Sequence, residues 1–206
     1  MYSDITGIIL AGGKSTRMGE NKSLLVLNGK TVIERVVELM RSIFKNVVII
    51  TNTPEEYHFL KTPLYKDIYE YKGPLAGIHS GLVNSKTEDN FIISCDIPLM
   101  NKNMIEYIVE FQTEKKITVC RADGYVQQLA GKYSQLILPA IEKSLKGYVN
   151  EIRELKQEKR KCAVLSLLDE MGAEIIDAKQ LDFYTENLFY NMNRPEDYKF
   201  IIENLS

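Results

Sequence analysis

The sequence predicts a three-layer α/β/α sandwich around a mostly parallel sheet. Short apolar runs at residues 5–10, 47–50 and 91–94 are of the fully buried kind that parallel strands require. Segments with apolar residues at helical spacing alternate with them, as strand–helix–strand units demand. The unusual polar and glycine residues fall directly after the strands, where open parallel sheets bind ligands.

Residues 5–10 read as the first strand, followed by a polar loop over 11–28. A helix comes next, opened by the capping box Thr31-x-x-Glu34 and carried by Val32, Ile33, Val36, Val37, Met40, Ile43 and Phe44. The second strand, 47–50, ends at Thr51-Asn52-Thr53-Pro54, and Pro54 opens a short helix bearing Tyr57 and Leu60. A weak extended piece over 64–68 leads through Lys72-Gly73-Pro74 to a small-residue helix over 75–84. The strand 91–94 runs into Cys95-Asp96-Ile97-Pro98. A helix over 101–111, a strand over 117–121 and a helix from about Ser134 follow. Residues 151–161 mix both charge signs at helical spacing and read as a solvated helix face rather than a binding surface for an anion. Leu188-Phe189-Tyr190 reads as a last strand, and Asn193-Arg194-Pro195-Glu196-Asp197 as the N-cap, proline and acidic first turn of a closing helix. No repeat or linker divides residues 1–206, so one domain is expected.

Composition excludes several classes. With 26 basic against 28 acidic residues the chain lacks the charge excess of a nucleic-acid or membrane-surface binder. Cys95, Cys120 and Cys162 are odd in number and widely spaced, which suits a reducing cytoplasm. No leader or membrane-spanning run is expected. Two histidines, His58 and His79, and no clustered cysteines make a zinc site poor. His79-Ser80-Gly81 is not a nucleophile elbow, because Ile78 stands where its first glycine belongs. Gly12-Gly13-Lys14-Ser15-Thr16 ends like a P-loop, but Ile8 occupies the position of that motif's first glycine. The dinucleotide pattern fails as well, since the glycine after the adjacent pair is Gly19.

If the strands are parallel, Ala11, Gly12, Gly13, Asn52, Asp67, Asp96, Asn191 and Asn193 converge on one edge. Backbone N–H groups at Gly12 and Gly13 would approach phosphates closely, with Arg17 offering a planar fork and Lys22 a point charge; the same loop also reads as an ordinary surface turn. Asp96, directly after a buried strand, is costly to ionise unless paired or coordinated. It fits a hard cation such as Mg²⁺, and it equally fits a cap on the following turn.

The run Leu10-Ala11-Gly12-Gly13-Lys14-Ser15-Thr16-Arg17-Met18-Gly19-Glu20-Asn21-Lys22 resembles the L-A-G-G-x-S-x-R-M-G-x-x-K signature of the nucleotidyltransferases that build the molybdenum cofactor. Gly73-Pro74-Leu75-Ala76-Gly77, Cys95-Asp96-Ile97-Pro98 and the segment from Asn191 to Asp197 are similar to that family's later motifs, in order. The glycine pair and the G-P-L-A-G block favour the guanylyl branch. The resemblance implies a Rossmann-like nucleotidyltransferase sheet and transfer of GMP from GTP to molybdopterin, or molybdopterin already carrying molybdenum, with release of pyrophosphate. It implies that Leu10, Ala11 and Gly12 line the nucleotide through their backbone, that Lys22 meets the phosphates, and that Asn52 and Asp67 lie near the guanosine. Asp96 would ligate Mg²⁺, and Asn193 would assist at the metal or the pterin. Gln127 matches the glutamine of a Q-P-L motif, with Gln128 in place of the proline, and joins the expected binding residues. Arg17, Lys22 and Asp96 are the expected catalytic residues, and transient contact with proteins that deliver or accept the cofactor is expected. Cytidylyl or sugar-phosphate transfer on the same fold, and a non-catalytic nucleotide sensor, remain the competing expectations.

Overall fold

The structure, a computed structural model, describes residues 1–12, 21–70, 73–154 and 163–204, and for 147–154, 163 and 204 the backbone alone. In chain order the strands are β1 Tyr2–Leu10, β2 Val26–Leu27, β3 Lys30–Thr31, β4 Phe44–Ile50, β5 Leu64–Tyr65, β6 Asp89–Ser94, β7 Ile117–Ala122, β8 Tyr125–Ser134 and β9 Glu174–Asp177. The α-helices are α1 Val32–Ile43, α2 Pro74–Asn84, α3 Lys102–Glu110, α4 Leu138–Glu154, α5 Ala163–Met171 and α6 Pro195–Asn204. Among the described helices none is long and apolar enough to cross a membrane.

Seven strands form one sheet in the order β5-β4-β1-β6-β8-β7-β9. β5, β4, β1 and β6 are parallel neighbours, and β8 alone runs against the rest. Side chains alternate across the central strands with period two. Ile9, Ile49 and Ile93 face one core with α1 and α3, while Ile8, Ile50 and Ile92 face a second core with α2, α4 and α5. The sandwich expected from the sequence is present.

α1 begins where its capping box places it, with Thr31 Oγ1 accepting from Glu34 N–H and the Glu34 carboxylate accepting from Thr31 N–H. Several boundaries differ from expectation. β4 starts at Phe44, three residues early, because Phe44 leaves α1 directly in an extended conformation. The segment after Pro54 is a 3-10 helix, Pro54–Leu60, and only Leu64–Tyr65 of the next extended piece pairs. A 3-10 turn, Gln135–Ile137, precedes α4.

Two strands of the seven-stranded sheet, β8 and β9, were absent from the sequence reading, as was the small antiparallel β2–β3 ribbon that begins within the expected loop. β7 and β8 form a hairpin whose two-residue turn is Asp123-Gly124, both with positive φ, and β9 adds a short edge strand beside β7. Conversely, Leu188 and Phe189 are buried as expected of a strand but lie in turns, and Leu188–Tyr190 pairs with nothing in the sheet.

α2 lies very close to the sheet. A Cβ on Gly81 would stand 2.6 Å from Ile8 Cγ2, so the helix can rest on β1 only where this residue has no side chain. Gly81→Ala is expected to lower stability by about 1–3 kcal/mol, the usual cost of an overpacked core, measurable by denaturant unfolding.

On the other side of α2, His79 is 3% exposed and stands edge-on to the Tyr69 ring at 5.0 Å. Its Nε2 is 3.7 Å from Glu142 Oε1 on α4, too far for a hydrogen bond, and neither ring nitrogen has a partner. Burial lowers its pKa from 6.5, Glu142 pulls upward and Lys146 lowers it further. Because the unfolded chain takes the proton first, stability is lost as pH falls below 6.5 toward the folded value. His79→Leu should remove that part of the pH dependence, so melting temperatures of wild type and variant should diverge on acidification from pH 7.

Candidate active site

β1 lies between β4 and β6, and the hydrogen bonding of the three strands continues past their ends. Ala11 N–H donates to the Ile50 carbonyl at 2.9 Å, Cys95 N–H to the Leu10 carbonyl at 3.0 Å, and Thr51 N–H to the Tyr65 carbonyl at 2.9 Å. The chain leaves β1 for β4 and β5 on one side and returns to β6 on the other, so the strand order reverses beside β1. That is the place where parallel sheets open a crevice beyond their carboxyl ends.

On the β6 side of the crevice a cation is surrounded by oxygens. Lys22 Nζ donates to Asp96 Oδ2 at 3.0 Å, to the Met192 carbonyl at 3.0 Å and to Asn193 Oδ1 at 3.1 Å. An ammonium carries three N–H donors, and here acceptors converge on it from two distant segments of the chain. Lys22 and Asp96 are largely buried, with side chains 21% and 17% exposed. Asp96 Oδ1 is fully buried and has no partner, which is costly for a carboxylate oxygen. Neither oxygen of Asp96 accepts a backbone N–H, so the capping alternative is not realised; the turn is held instead by Met192 N–H on the Asp96 carbonyl at 2.9 Å.

Asn193 does not serve as the expected helix N-cap. Its side chain turns to Lys22, and the Asp197 carboxylate accepts from the N–H groups of Asn193 and Arg194, both at 2.7 Å. Asn191 is not brought to the cluster: it is exposed and its amide folds back on the Phe189 carbonyl.

The turn that delivers Lys22 rests on a residue the sequence reading assigned only to a helix face. Tyr57 is 1% exposed, and its hydroxyl meets Asn21 Nδ2 and Ser23 Oγ, both at 2.8 Å. Asn21 also donates to Glu56 at 2.7 Å and caps the 3-10 turn Lys22–Leu24 through Ser23 N–H. An isolated tyrosine at helical spacing gives no signal for such a role, because it looks like any core aromatic.

On the β4–β5 side, Asn52 and Asp67 pair reciprocally. Asn52 Nδ2 donates to Asp67 Oδ2 at 2.8 Å and Asp67 N–H to Asn52 Oδ1 at 3.2 Å. Burial raises the Asp67 pKa, opposed by the Asn52 hydrogen bond. Leu10 and Ala11 are buried at the end of β1, between the two clusters, whereas Gly12 is exposed and a Cβ there would meet no atom of the described residues within 4 Å. Gly12 itself therefore presents bare backbone at the centre of the crevice. Gln127 sits on the stretch of β8 beyond its last pairing with β6, Ile93 with Ala130, and donates to the Ala122 carbonyl at 3.3 Å. Gly13 and Arg17 lie outside the described residues.

Among the described residues, the nucleophilic side chains near this edge are not activated. Cys95 adjoins Asp96, but burial first and the Asp96 charge second push its thiol up to about 12. Ser80 is fully buried, with its hydroxyl accepting from Ile68 N–H. A crevice with a phosphate-competent cation, a buried carboxylate and, among the described residues, no activated nucleophile suits direct phosphoryl-group transfer between two bound substrates.

Residues 7–164 match the MobA-like NTP transferase domain, which makes this protein a nucleotidyltransferase. The chain is 33% identical over 202 residues to a protein of Carboxydothermus hydrogenoformans named "Probable molybdenum cofactor guanylyltransferase", covering 97% of this chain and 96% of that one. It is 30% identical to the molybdenum cofactor guanylyltransferase of Desulfosudis oleivorans over 94% of this chain and 92% of the relative. The crystal structure of molybdopterin-guanine dinucleotide biosynthesis protein A from Archaeoglobus fulgidus superposes with a TM-score of 0.79 at 20% identity, covering 98% of each chain, and so shares the fold. The chain belongs to the molybdenum cofactor guanylyltransferase family.

Tyr57→Phe removes the hydroxyl that anchors Asn21 and Ser23. It is expected to cost about 1–3 kcal/mol, the penalty for leaving buried polar groups unpaired, and to raise the KM for the nucleotide by loosening the Lys22 turn. Thermal unfolding together with steady-state kinetics measures both.

Proposed function

We propose that this protein transfers GMP from GTP to the terminal phosphate of molybdopterin and releases pyrophosphate, leaving a guanine dinucleotide form of the cofactor. The observation that carries the proposal is the convergence of Lys22, Asp96 and Asn193 at the carboxyl ends of the strands, beside the open backbone of Gly12. Kinship with chains named for this activity supports it over almost the full length.

The donor set fits a magnesium ion. Asp96 supplies a buried carboxylate with one oxygen unpartnered, and Asn193 and Met192 supply neutral oxygens close by, which is the hard-oxygen chemistry Mg²⁺ selects. When bound there, such an ion neutralises charge on the triphosphate. The residues of the chain do the positioning. Lys22, on its flexible stem, holds the phosphates as a point charge, and the exposed backbone at Gly12 lets the triphosphate approach without a side chain in the way. Asn52 holds the Asp67 carboxylate so that its second oxygen can accept from the nucleoside. The acceptor phosphate oxygen forms a bond to the α-phosphorus of GTP. The bond from that phosphorus to the bridging oxygen of the β-phosphate breaks, and pyrophosphate leaves with the electron pair. Rate acceleration then comes from alignment and charge stabilisation rather than from a covalent protein intermediate.

Thermal stabilisation by GTP, CTP, ATP, UTP and dTTP with Mg²⁺ tests the assignment. GTP at a hundred times its Kd should stabilise by about 2.7 kcal/mol, the others far less. Asp96→Asn should retain the fold and lose turnover. Stabilisation by CTP in place of GTP overturns the guanylyl assignment, and substantial Mg²⁺-dependent turnover in Asp96→Asn overturns the role of Asp96.

A further inference from the structure

The Lys22 ammonium stands where a cation bound by Asp96 and Asn193 would have to stand. Its nitrogen is 3.0 Å from Asp96 Oδ2, 3.0 Å from the Met192 carbonyl and 3.1 Å from Asn193 Oδ1. These are the same oxygens that make the site suitable for a hard divalent ion. Such an ion draws its oxygens in to about 2.0–2.1 Å and demands near-octahedral geometry. An ammonium donating hydrogen bonds to the same atoms excludes it, both by occupying the oxygens and by like-charge repulsion in a largely buried setting.

We infer that Lys22 plugs the divalent-cation site of the nucleotide-free protein, so that the nucleotide must draw the lysine away before the cation binds. The inference rests on reading Asp96 as a metal ligand. A triphosphate entering over Gly12 offers Lys22 a new set of anionic oxygens, and the lysine stem is long and flexible enough to change partners. Its departure exposes Asp96 Oδ2 next to the already unpartnered Oδ1, and a cation then restores the lost charge balance. Nucleotide and cation therefore bind with positive coupling, which is reciprocal by linkage. Without nucleotide the lysine also keeps the buried Asp96 neutralised, so the empty enzyme pays no penalty for an uncompensated carboxylate.

Mn²⁺ is the probe, its binding followed by loss of the free-ion EPR signal on the full chain without nucleotide. Lys22→Met should bind Mn²⁺ at least tenfold more tightly than wild type, and Asp96→Asn introduced into that variant should abolish the gain. Lys22→Gln, which keeps a polar side chain but no charge, should also bind more tightly, and melting curves of each variant confirm that it is folded. Wild type should reach comparable affinity when the α,β-methylene analogue of GTP is added, beyond the Mn²⁺ held by the analogue with Asp96→Asn. If Lys22→Met and Lys22→Gln bind Mn²⁺ no more tightly than wild type while the analogue still promotes Asp96-dependent binding, the plug is overturned and the metal assignment stands. If no form shows Asp96-dependent binding, the metal assignment falls and the plug falls with it.

Discussion

Two backbone hydrogen bonds at the end of β1 set the geometry on which the site depends. The Leu10 carbonyl accepts from Cys95 N–H, and Ala11 N–H donates to the Ile50 carbonyl. They fix the last residues of β1 against its neighbours on both sides, so the loops leaving β1, β4 and β6 begin at one level. Asn52 and Asp67 then fall on one flank of Gly12, and Asp96 on the other. The flanks are separated by two strand spacings, about 10 Å. A span of that order matches the proposed placement of a nucleoside on one side and a phosphate chain on the other.

The two flanks are electrostatically unlike. Asp67 is a carboxyl whose burial favours the neutral form and whose partner is an uncharged amide. Asp96 is paired with an ammonium. A carboxyl held by a neutral amide suits hydrogen bonding to a sugar or base, and a charged pair suits phosphate and metal. The thiol beside Asp96 is held protonated by burial, and His79 is kept in the second core under α4. The polar chemistry of the edge is thus confined to groups that bind and align.

How much of this was legible in the sequence depends on the kind of signal. The α1 capping box and the β-branched runs of β1, β4 and β6 are local signals, and each marks an element that is present. Asp123-Gly124 is also a local signal, the strongest short-range mark of a hairpin, but β8 after it lacks the clean apolar–polar alternation that marks a strand. β9 is four residues long with mixed burial, too short to show a period. Leu188 and Phe189 are buried in the first core without strand pairing, and an apolar run reports burial rather than conformation. In the site, Lys22, Asp96 and Asn193 were identifiable as side chains. The Met192 carbonyl could not be, since every residue has one. Asn191 stands apart from the Lys22 cluster, its amide donating to the Phe189 carbonyl, which residue type alone does not reveal.

Lys22 and two of the oxygens around it come from opposite ends of the chain. Met192 and Asn193 follow all seven strands of the sheet, and they meet Lys22 across 170 and 171 residues. During synthesis the sheet can therefore assemble while the crevice still lacks one wall. A ribosome-bound chain that has folded its sheet cannot complete the cation cage until the segment before α6 has emerged. The oxygens that surround the Lys22 ammonium are thus complete only when nearly the whole chain has been made.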